Sequence, residues 1–233
     1  MNRLFKIALT LILLAIVVLG VIYLVYNKPL PSGSNPAAAD ALAKKMLTAL
    51  NYEAYSDTRF LEWSFAGGEH EYKWDKLNGK VDVKWNENLV RLNLVEPSKT
   101  TVLKEGKTVA GNAKTKLIQK ATDYFNNDSF WLVAPYKVFD KGTERSMVLM
   151  EDGSEGLLVT YTNGGTTPGD SYLWQLDANY FPESYQMWVS IIPIGGLKAT
   201  WNQWKKTESG AYLPVSHRLG PIPLNMGEVK AYN

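Results

Sequence analysis

The sequence predicts an α+β fold, in which a large antiparallel β-sheet of ten or more short strands carries two helices and follows one N-terminal transmembrane helix. Three observations lead to this fold class. Residues 7–26 are apolar and uncharged, and residues 36–50 and 114–126 carry apolar stripes with helical spacing. Most of the remaining chain alternates apolar and polar residues between turn signals, as half-buried antiparallel strands do.

The apolar run predicts a membrane anchor. Its 20 residues, at about 1.5 Å per residue in a helix, cross a hydrocarbon core of about 30 Å. Arg3 and Lys6 precede the run and Lys28 alone follows it closely, so the positive-inside bias places the N-terminus in the cytoplasm. We therefore expect residues 1–28 to be a single-pass signal anchor in the inner (cytoplasmic) membrane, with the domain in the periplasm or outside the cell.

A cleaved signal peptide is the alternative interpretation, and it would secrete the domain. Secretory apolar regions are usually about 7–15 residues long and end near a small-x-small cleavage site. The nearest such site is at residues 37–39, more than ten residues beyond the run, which favours the uncleaved anchor. The chain has no Cys, so a lipid cannot be attached through that residue.

Charge and composition exclude several classes of protein. The net charge of +2 belongs to the N-terminus, because removing Arg3, Lys6 and Lys28 leaves 22 basic against 23 acidic residues in positions 29–233. Such a balance argues against a nucleic-acid-binding protein, which needs a basic surface. The lack of Cys excludes disulfides, thiolate metal sites and thiol nucleophiles.

One domain is expected after a short tether. Residues 29–35 are rich in Pro, Gly and Ser and predict the tether, and no second linker follows, so residues 36–233 form the domain. Asn35 is suited to cap a helix that has Pro36 at its first position, and the apolar stripe predicts that this helix ends near residue 50.

Hairpin signals at Gly67-Gly68 and Asn78-Gly79 separate the first predicted strands. These strands are at residues 59–66, 69–75, 80–85 and 88–95, and a further hairpin is possible within residues 100–110. The second helix, residues 114–126, comes next. The remaining predicted strands are at residues 130–133, 136–139, 144–150, 156–162, 172–177, 185–189, 198–207, 212–219 and 228–232.

Catalytic patterns are missing from the sequence. His70 lies between Glu69 and Glu71 on a predicted strand, where neighbours point to opposite faces and so cannot all bind one metal ion. We expect His70 on a solvated strand face, and His217 at a strand surface as well. Neither G-x-S-x-G nor S-x-x-K occurs, and the glycine pairs at 164–165 and 195–196 do not open a helix as a phosphate-binding loop would. We expect no metal, no cofactor and no enzymatic activity, although a hydrolase with a His–carboxylate or carboxylate pair in a cavity stays open.

The aromatic content points to a ligand. The chain has 8 Trp, nearly all on predicted strands, and two helices cover only part of a large sheet. The aromatic face is therefore either a filled core or the wall of an apolar cavity for a hydrophobic ligand. The candidate lining residues are Leu61, Trp63, Phe65, Tyr72, Trp74, Trp131 and Trp174.

The order of elements and one motif resemble a known superfamily. A helix at 36–50, strands at 58–95 and a helix at 114–126 are followed by NDSFWLVAPY at 127–136, TPGD at 167–170 and YLWQLD at 172–177. This combination resembles the LolA/LolB-like superfamily of periplasmic lipoprotein carriers, and in particular its uncharacterised exported members. The resemblance implies a curved sheet of about ten or eleven strands, an incomplete barrel whose concave face is partly covered by the two helices and encloses an apolar cavity.

Known carriers of that superfamily bind the acyl chains of lipoproteins in the cavity and cross the periplasm with them. A chain fixed in the inner membrane by residues 7–26 departs from this behaviour. The leading hypothesis is a membrane-anchored extracytoplasmic domain that binds a lipid or other hydrophobic ligand, in lipid or lipoprotein handling. The alternative is a structural or protein-interaction module of the cell envelope, with a filled aromatic core and a protein partner.

Overall fold

The structure is a computed structural model that describes residues 3–163 and 167–233. These residues contain two antiparallel sheets and four α-helices. The predicted α+β class with extensive antiparallel β-structure and few helices is therefore confirmed, although the sequence predicted one large sheet. The strands divide between two sheets, which pack on a shared core. The glycine pair at 164–165 lies outside the described residues.

The first sheet contains most of the N-terminal half of the domain. Its strands run in the order β15-β1-β2-β3-β4-β5-β6, and all neighbours are antiparallel. Their bounds are β1 Phe60–Phe65, β2 His70–Asp75, β3 Lys80–Trp85, β4 Asn88–Asn93, β5 Thr101–Lys104, β6 Lys107–Thr108 and β15 Lys230–Tyr232. The predicted alternation holds, since Leu61, Trp63 and Phe65 are buried while the residues between them are half-exposed.

The second sheet contains most of the C-terminal half. Its strands run in the order β12-β13-β11-β10-β9-β8-β7, with β14 paired to β13, again antiparallel. Their bounds are β7 Thr143–Leu149, β8 Glu155–Tyr161, β9 Ser171–Leu176, β10 Pro182–Trp188, β11 Leu197–Thr200, β12 Gln203–Lys206, β13 Tyr212–Leu219 and β14 Ile222–Asn225. The predicted strand at 198–207 is thus two strands, separated at the buried Trp201.

Met226 joins the two sheets. Its carbonyl oxygen accepts a hydrogen bond from Ser64 N of β1 at 3.0 Å, and its own N–H donates to Val215 O of β13 at 3.0 Å. The Met226 side chain is fully buried in the shared core. Residue 226 therefore satisfies backbone groups of both sheets and fixes β1 relative to β13.

The helices α1 (Arg3–Tyr26), α2 (Pro36–Ala49) and the short, unpredicted α3 (Tyr52–Asp57) precede the sheets. As predicted, Asn35 caps α2, since its side-chain oxygen accepts from Ala38 N at 3.2 Å. In α1 the window Leu9–Tyr26 has a mean hydropathy of 2.8. That helix is long and apolar enough to cross a membrane, and a signal sequence would have the same properties.

Helix α4 (Gly111–Val133) is much longer than the predicted helix at 114–126. The prediction of strands at 130–133 and 136–139 is wrong, because the chain there completes α4 and then forms a 3₁₀ turn at Ala134–Lys137. Asn126, Asn127, Asp128 and Ser129 are poor helix formers, and their run suggested a stop. Burial of Phe125, Trp131 and Leu132 against the core offsets that local preference.

The segment expected as a tether is fixed on the second sheet. Ser34 forms a β-bridge with Met147 of β7, with N–O distances of 2.8 and 2.7 Å. Gly33 lies so close to this strand that an added Cβ would be 1.9 Å from Ser146 Oγ. At the other end, Lys28 N donates to Gly195 O at 3.0 Å. Residues 27–34, which we name the linker, therefore follow the sheet instead of swinging free of it.

His217 corrects a second expectation, because this residue of β13 is buried rather than at the surface, with 1% of its area exposed. Its Nε2 lies 2.7 Å from Trp131 O at the end of α4, and its Nδ1 lies 2.9 Å from Thr200 O. Burial lowers the pKa of His217 to about 4, and the two carbonyl oxygens oppose that shift by favouring N–H. The ring is therefore neutral at pH 7.

We predict that His217 makes the fold acid-sensitive. In the unfolded state His217 has the ordinary histidine pKa of about 6.5, so the unfolded state binds a proton before the folded state does as the pH falls. The contribution of the neutral, buried ring to stability is therefore present above pH 6.5 and is lost as the pH falls toward 4. The expected loss between pH 7 and pH 4.5 is about 2–3 kcal/mol. Urea unfolding of the full chain in detergent, followed by Trp fluorescence, measures it. His217→Gln should be less stable at pH 7 but should lack this part of the slope, and an unchanged slope would contradict the assignment.

A candidate ligand-binding cavity between the sheets

A cavity of about 880 Å³ lies between the two sheets, beside the C-terminal half of α4. Its walls come from the first sheet, the second sheet and the helix, and they are mostly aromatic or aliphatic. The main apolar lining residues are Phe65, Trp74, Phe125, Phe130, Trp131, Tyr172, Tyr185, Met187, Val189, Leu219 and Leu224. Cavities that hold small ligands in proteins are typically about 300–1,000 Å³, so this one has room for an organic molecule.

Three of the predicted lining residues border this cavity and four do not. Phe65, Trp74 and Trp131 are in its wall. Leu61, Trp63, Tyr72 and Trp174 are packed elsewhere in the core.

The four other residues are held by aromatic neighbours or by the sheet itself. The Trp63 ring stacks on Tyr72 with 4.5 Å between centroids. Trp174 is fully buried, and its ring meets Tyr185 edge-on at 5.0 Å. Tyr185 contacts that ring and lines the cavity, whereas Trp174 does not line it.

Sequence reasoning missed several wall residues. Phe130 was placed on a strand, whereas it lies on α4 with its ring 4.7 Å from Tyr172 of β9. Tyr172 is two residues from Trp174, so the strand alternation that selected the tryptophan also put the tyrosine on the same face. The two-residue spacing is therefore the sequence signal that could have predicted Tyr172 as a wall residue. Predicting a helix that continues past residue 126 would have added Phe130 to the predicted wall.

The apolar wall contains two donors with no partner. Among the described residues, Tyr161 Oη and Trp74 Nε1 are buried and have no hydrogen-bond partner, and both residues border the cavity. Burial raises the pKa of Tyr161, so its hydroxyl stays protonated and able to donate. A buried donor without an acceptor costs about 1–3 kcal/mol. In the described part of the chain, Trp63, Trp174 and Trp201 have the same unpaired Nε1 but do not border the cavity, so the two donors do not by themselves indicate a ligand.

Polar residues surround one end of the cavity. Lys137 and Asp140 form an ion pair there, and Lys141 is exposed beside them. Asp170 is buried and accepts hydrogen bonds from the Thr167 hydroxyl and from Ser190 N, the latter at 3.0 Å. These contacts fix the loop that precedes β9 to the loop that follows β10, so the cavity has a polar, ordered rim.

A buried carboxylate ties α4 to the first sheet. Asp128, with 2% of its side chain exposed, accepts a hydrogen bond from the Tyr72 hydroxyl at 2.5 Å and lies 2.7 Å from His70 Nδ1. Asn127 Nδ2 donates to its other oxygen at 2.8 Å. The Tyr124 ring stacks on His70 with 3.8 Å between centroids. The expectation that His70 lies on a solvated strand face is therefore wrong.

This histidine–aspartate pair does not form part of the cavity wall. The side-chain hydrogen bond of His70 goes to the Asp128 carboxylate, and its ring contacts are Tyr72 and Tyr124. Within residues 3–163 and 167–233, no group of three or more His, Cys, Asp or Glu could hold a metal ion. The pair acts as a structural tie.

A comparison with solved structures finds a similar chain, a DUF1329 family protein from Desulfovibrio piger. The two sequences are 11% identical, and the superposition covers 85% of this chain and 93% of that chain with a TM-score of 0.43. No protein-family model matches the chain, and a comparison with curated proteins finds no match. The function is therefore inferred from the residues of the cavity and of the N-terminal helix.

We predict that Asp128→Ala lowers the free energy of unfolding by about 3 kcal/mol, because it leaves buried donors of Tyr72 and His70 unpaired. Urea unfolding of the full chain in detergent measures this change. Asp82→Ala is the control, since Asp82 faces the exposed Arg91 at 3.7 Å and such a surface pair contributes no more than about 1 kcal/mol. Equal effects of the two substitutions would show that Asp128 is not a tie.

Proposed function

We propose that the chain is a membrane-anchored extracytoplasmic domain that binds a lipid or other hydrophobic ligand between its two sheets. The cavity of about 880 Å³ with its aromatic and aliphatic wall carries this proposal. Apolar contact at about 25 cal/mol per Å² would supply affinity without many directional contacts. In this proposal the ligand is held and not transformed.

The chemistry of the wall narrows the class of ligand. The wall is mostly aromatic and aliphatic, and the polar rim at Asp140, Lys141 and Asp170 lies at one end. An amphiphile with an apolar body and a polar head would satisfy both features.

The N-terminal helix supports the cellular setting. Arg3 and Lys6 precede the apolar run of α1, which is the orientation signal of a helix with a cytoplasmic N-terminus. We propose that α1 stays attached and holds residues 36–233 on the outer face of the inner membrane. An anchored domain cannot carry its ligand across the periplasm, so its role would be to bind, sense or hand on a lipid at that membrane.

The test is photo-crosslinking of the full chain in nanodiscs that contain a phospholipid with a diazirine on one acyl chain. We expect adducts on peptides of the cavity wall, including the one with Phe130 and Trp131. Leu219→Trp, which places a larger ring in the cavity from β13, should reduce these adducts about tenfold, which corresponds to a loss of about 1.4 kcal/mol of binding free energy. Adducts on α1 report equal exposure to lipid in each sample.

Leu149→Trp is the matched control, because Leu149 is 77% exposed and does not border the cavity. It should keep the wild-type pattern of adducts. A wild-type chain without adducts in the wall, or with adducts that Leu219→Trp leaves unchanged, would refute lipid binding. That outcome, together with co-purification of one protein partner, would favour the structural or interaction module of the envelope.

A further inference from the structure

The end of α1 is hydrogen-bonded to the loop at residues 189–196, which follows β10. Gly195 N donates to Asn27 Oδ1 at 2.8 Å, and Lys28 N donates to Gly195 O at 3.0 Å. Trp188 Nε1 donates to Lys28 O at 2.8 Å. Asn27 and Lys28 directly follow the apolar window that ends at Tyr26. The loop is therefore fixed beside the last residues of the helix, wherever that helix lies.

This loop exposes a large apolar side chain. Ile191 is 70% exposed, although a single exposed isoleucine on a protein surface is ordinary. Its position distinguishes it, because it is four residues from Gly195 and their Cα atoms can be no more than about 14 Å apart. Tyr26, at the end of α1, is also exposed, and tyrosine favours the boundary between membrane and water.

The rim of the cavity is at the same end of the second sheet. Glu144, Thr160, Ser171 and Trp188 are paired across four neighbouring strands and form one row. The chain segments that extend beyond this row are residues 137–143, 161–170 and 189–196, and each contributes to the cavity wall or rim. The end of the cavity, the exposed loop and the end of α1 are therefore on one side of the domain.

The rim also has a free cation. Lys141 is exposed, and in the described part of the chain it has no ion-pair partner, whereas its neighbours Lys137 and Asp140 pair with each other. An ammonium group at this end suits the phosphates of a phospholipid surface. The opposite end of the second sheet has the hairpin that follows Leu149. Leu149 is also exposed, but it lies at the other end of β7 from Glu144 and the row described above.

We infer that the loop at residues 189–196 docks on the outer surface of the bilayer that α1 crosses, with Ile191 among the lipid headgroups and the cavity rim facing the membrane. The ligand of the proposed function would then enter from that leaflet rather than from the aqueous phase. This inference rests on the proposed function for the spanning role of α1 and for the ligand. The docking itself requires no ligand in the cavity.

The absence of Cys permits a direct test, because a single introduced thiol is unique. Ile191→Cys and Leu149→Cys chains are each labelled with a nitroxide and placed in nanodiscs of phosphatidylcholine and phosphatidylglycerol. Electron paramagnetic resonance then compares the collision of each label with oxygen, which concentrates in the bilayer, and with a water-soluble nickel chelate. We expect the label at position 191 to favour oxygen and the label at position 149 to favour nickel. Equal, nickel-dominated collision at both positions overturns the inference.

A second background separates docking from ligand binding. Placing Leu219→Trp in the Ile191→Cys chain should leave the depth of the label unchanged, although the cavity is narrowed. A label in the bilayer without wall adducts in the crosslinking experiment means that docking stands and lipid binding fails. Adducts in the wall with the label in water mean the reverse. Circular dichroism of each labelled chain confirms that the substitution has not unfolded it.

Discussion

One turn of α4 holds the two sheets in place. Asp128 accepts a hydrogen bond from Tyr72 of the first sheet, and three residues later Trp131 O lies within hydrogen-bond distance of His217 of the second sheet. Both contacts are buried, so a displacement of the helix would leave polar groups without partners in a medium that cannot solvate them. The space beside this turn is the cavity. It persists because the helix cannot move into it without breaking one tie or the other.

Local signals predicted the first sheet and the start of α2 correctly. Alternation in β1 to β4 and the cap at Asn35 depend on residues within a few positions of each other, so a single sequence contains them. The end of α4 was wrong for the opposite reason. Asn126 to Ser129 have weak helix propensity, and what offsets it is burial of the helix against the core, together with the Asp128 carboxylate, which pairs with side chains almost sixty residues earlier in the chain.

The aromatic residues of the strands show that a sequence can predict burial but not which buried residues line a cavity. The sequence indicates that Trp63 and Trp174 are buried, and they are, but alternation gives only the face of a strand and not what covers that face. In the structure Tyr185, which contacts Trp174, lines the open space and Trp174 does not. His217 illustrates the same limit, since a polar residue on a strand indicates a surface unless a second element, here the end of α4, supplies a buried partner.

The linker has a consequence for affinity. A free segment of this length would let the domain sample a volume of water, and the ligand would be found at its aqueous concentration. The bonds of Lys28 to Gly195 and of Ser34 to Met147 remove that freedom. In the proposed arrangement, with α1 in a bilayer and lipid as the ligand, the domain would have a fixed orientation and its binding site would meet lipid at the concentration of the leaflet itself. Occupancy would then depend on geometry, and a weak intrinsic affinity would be sufficient.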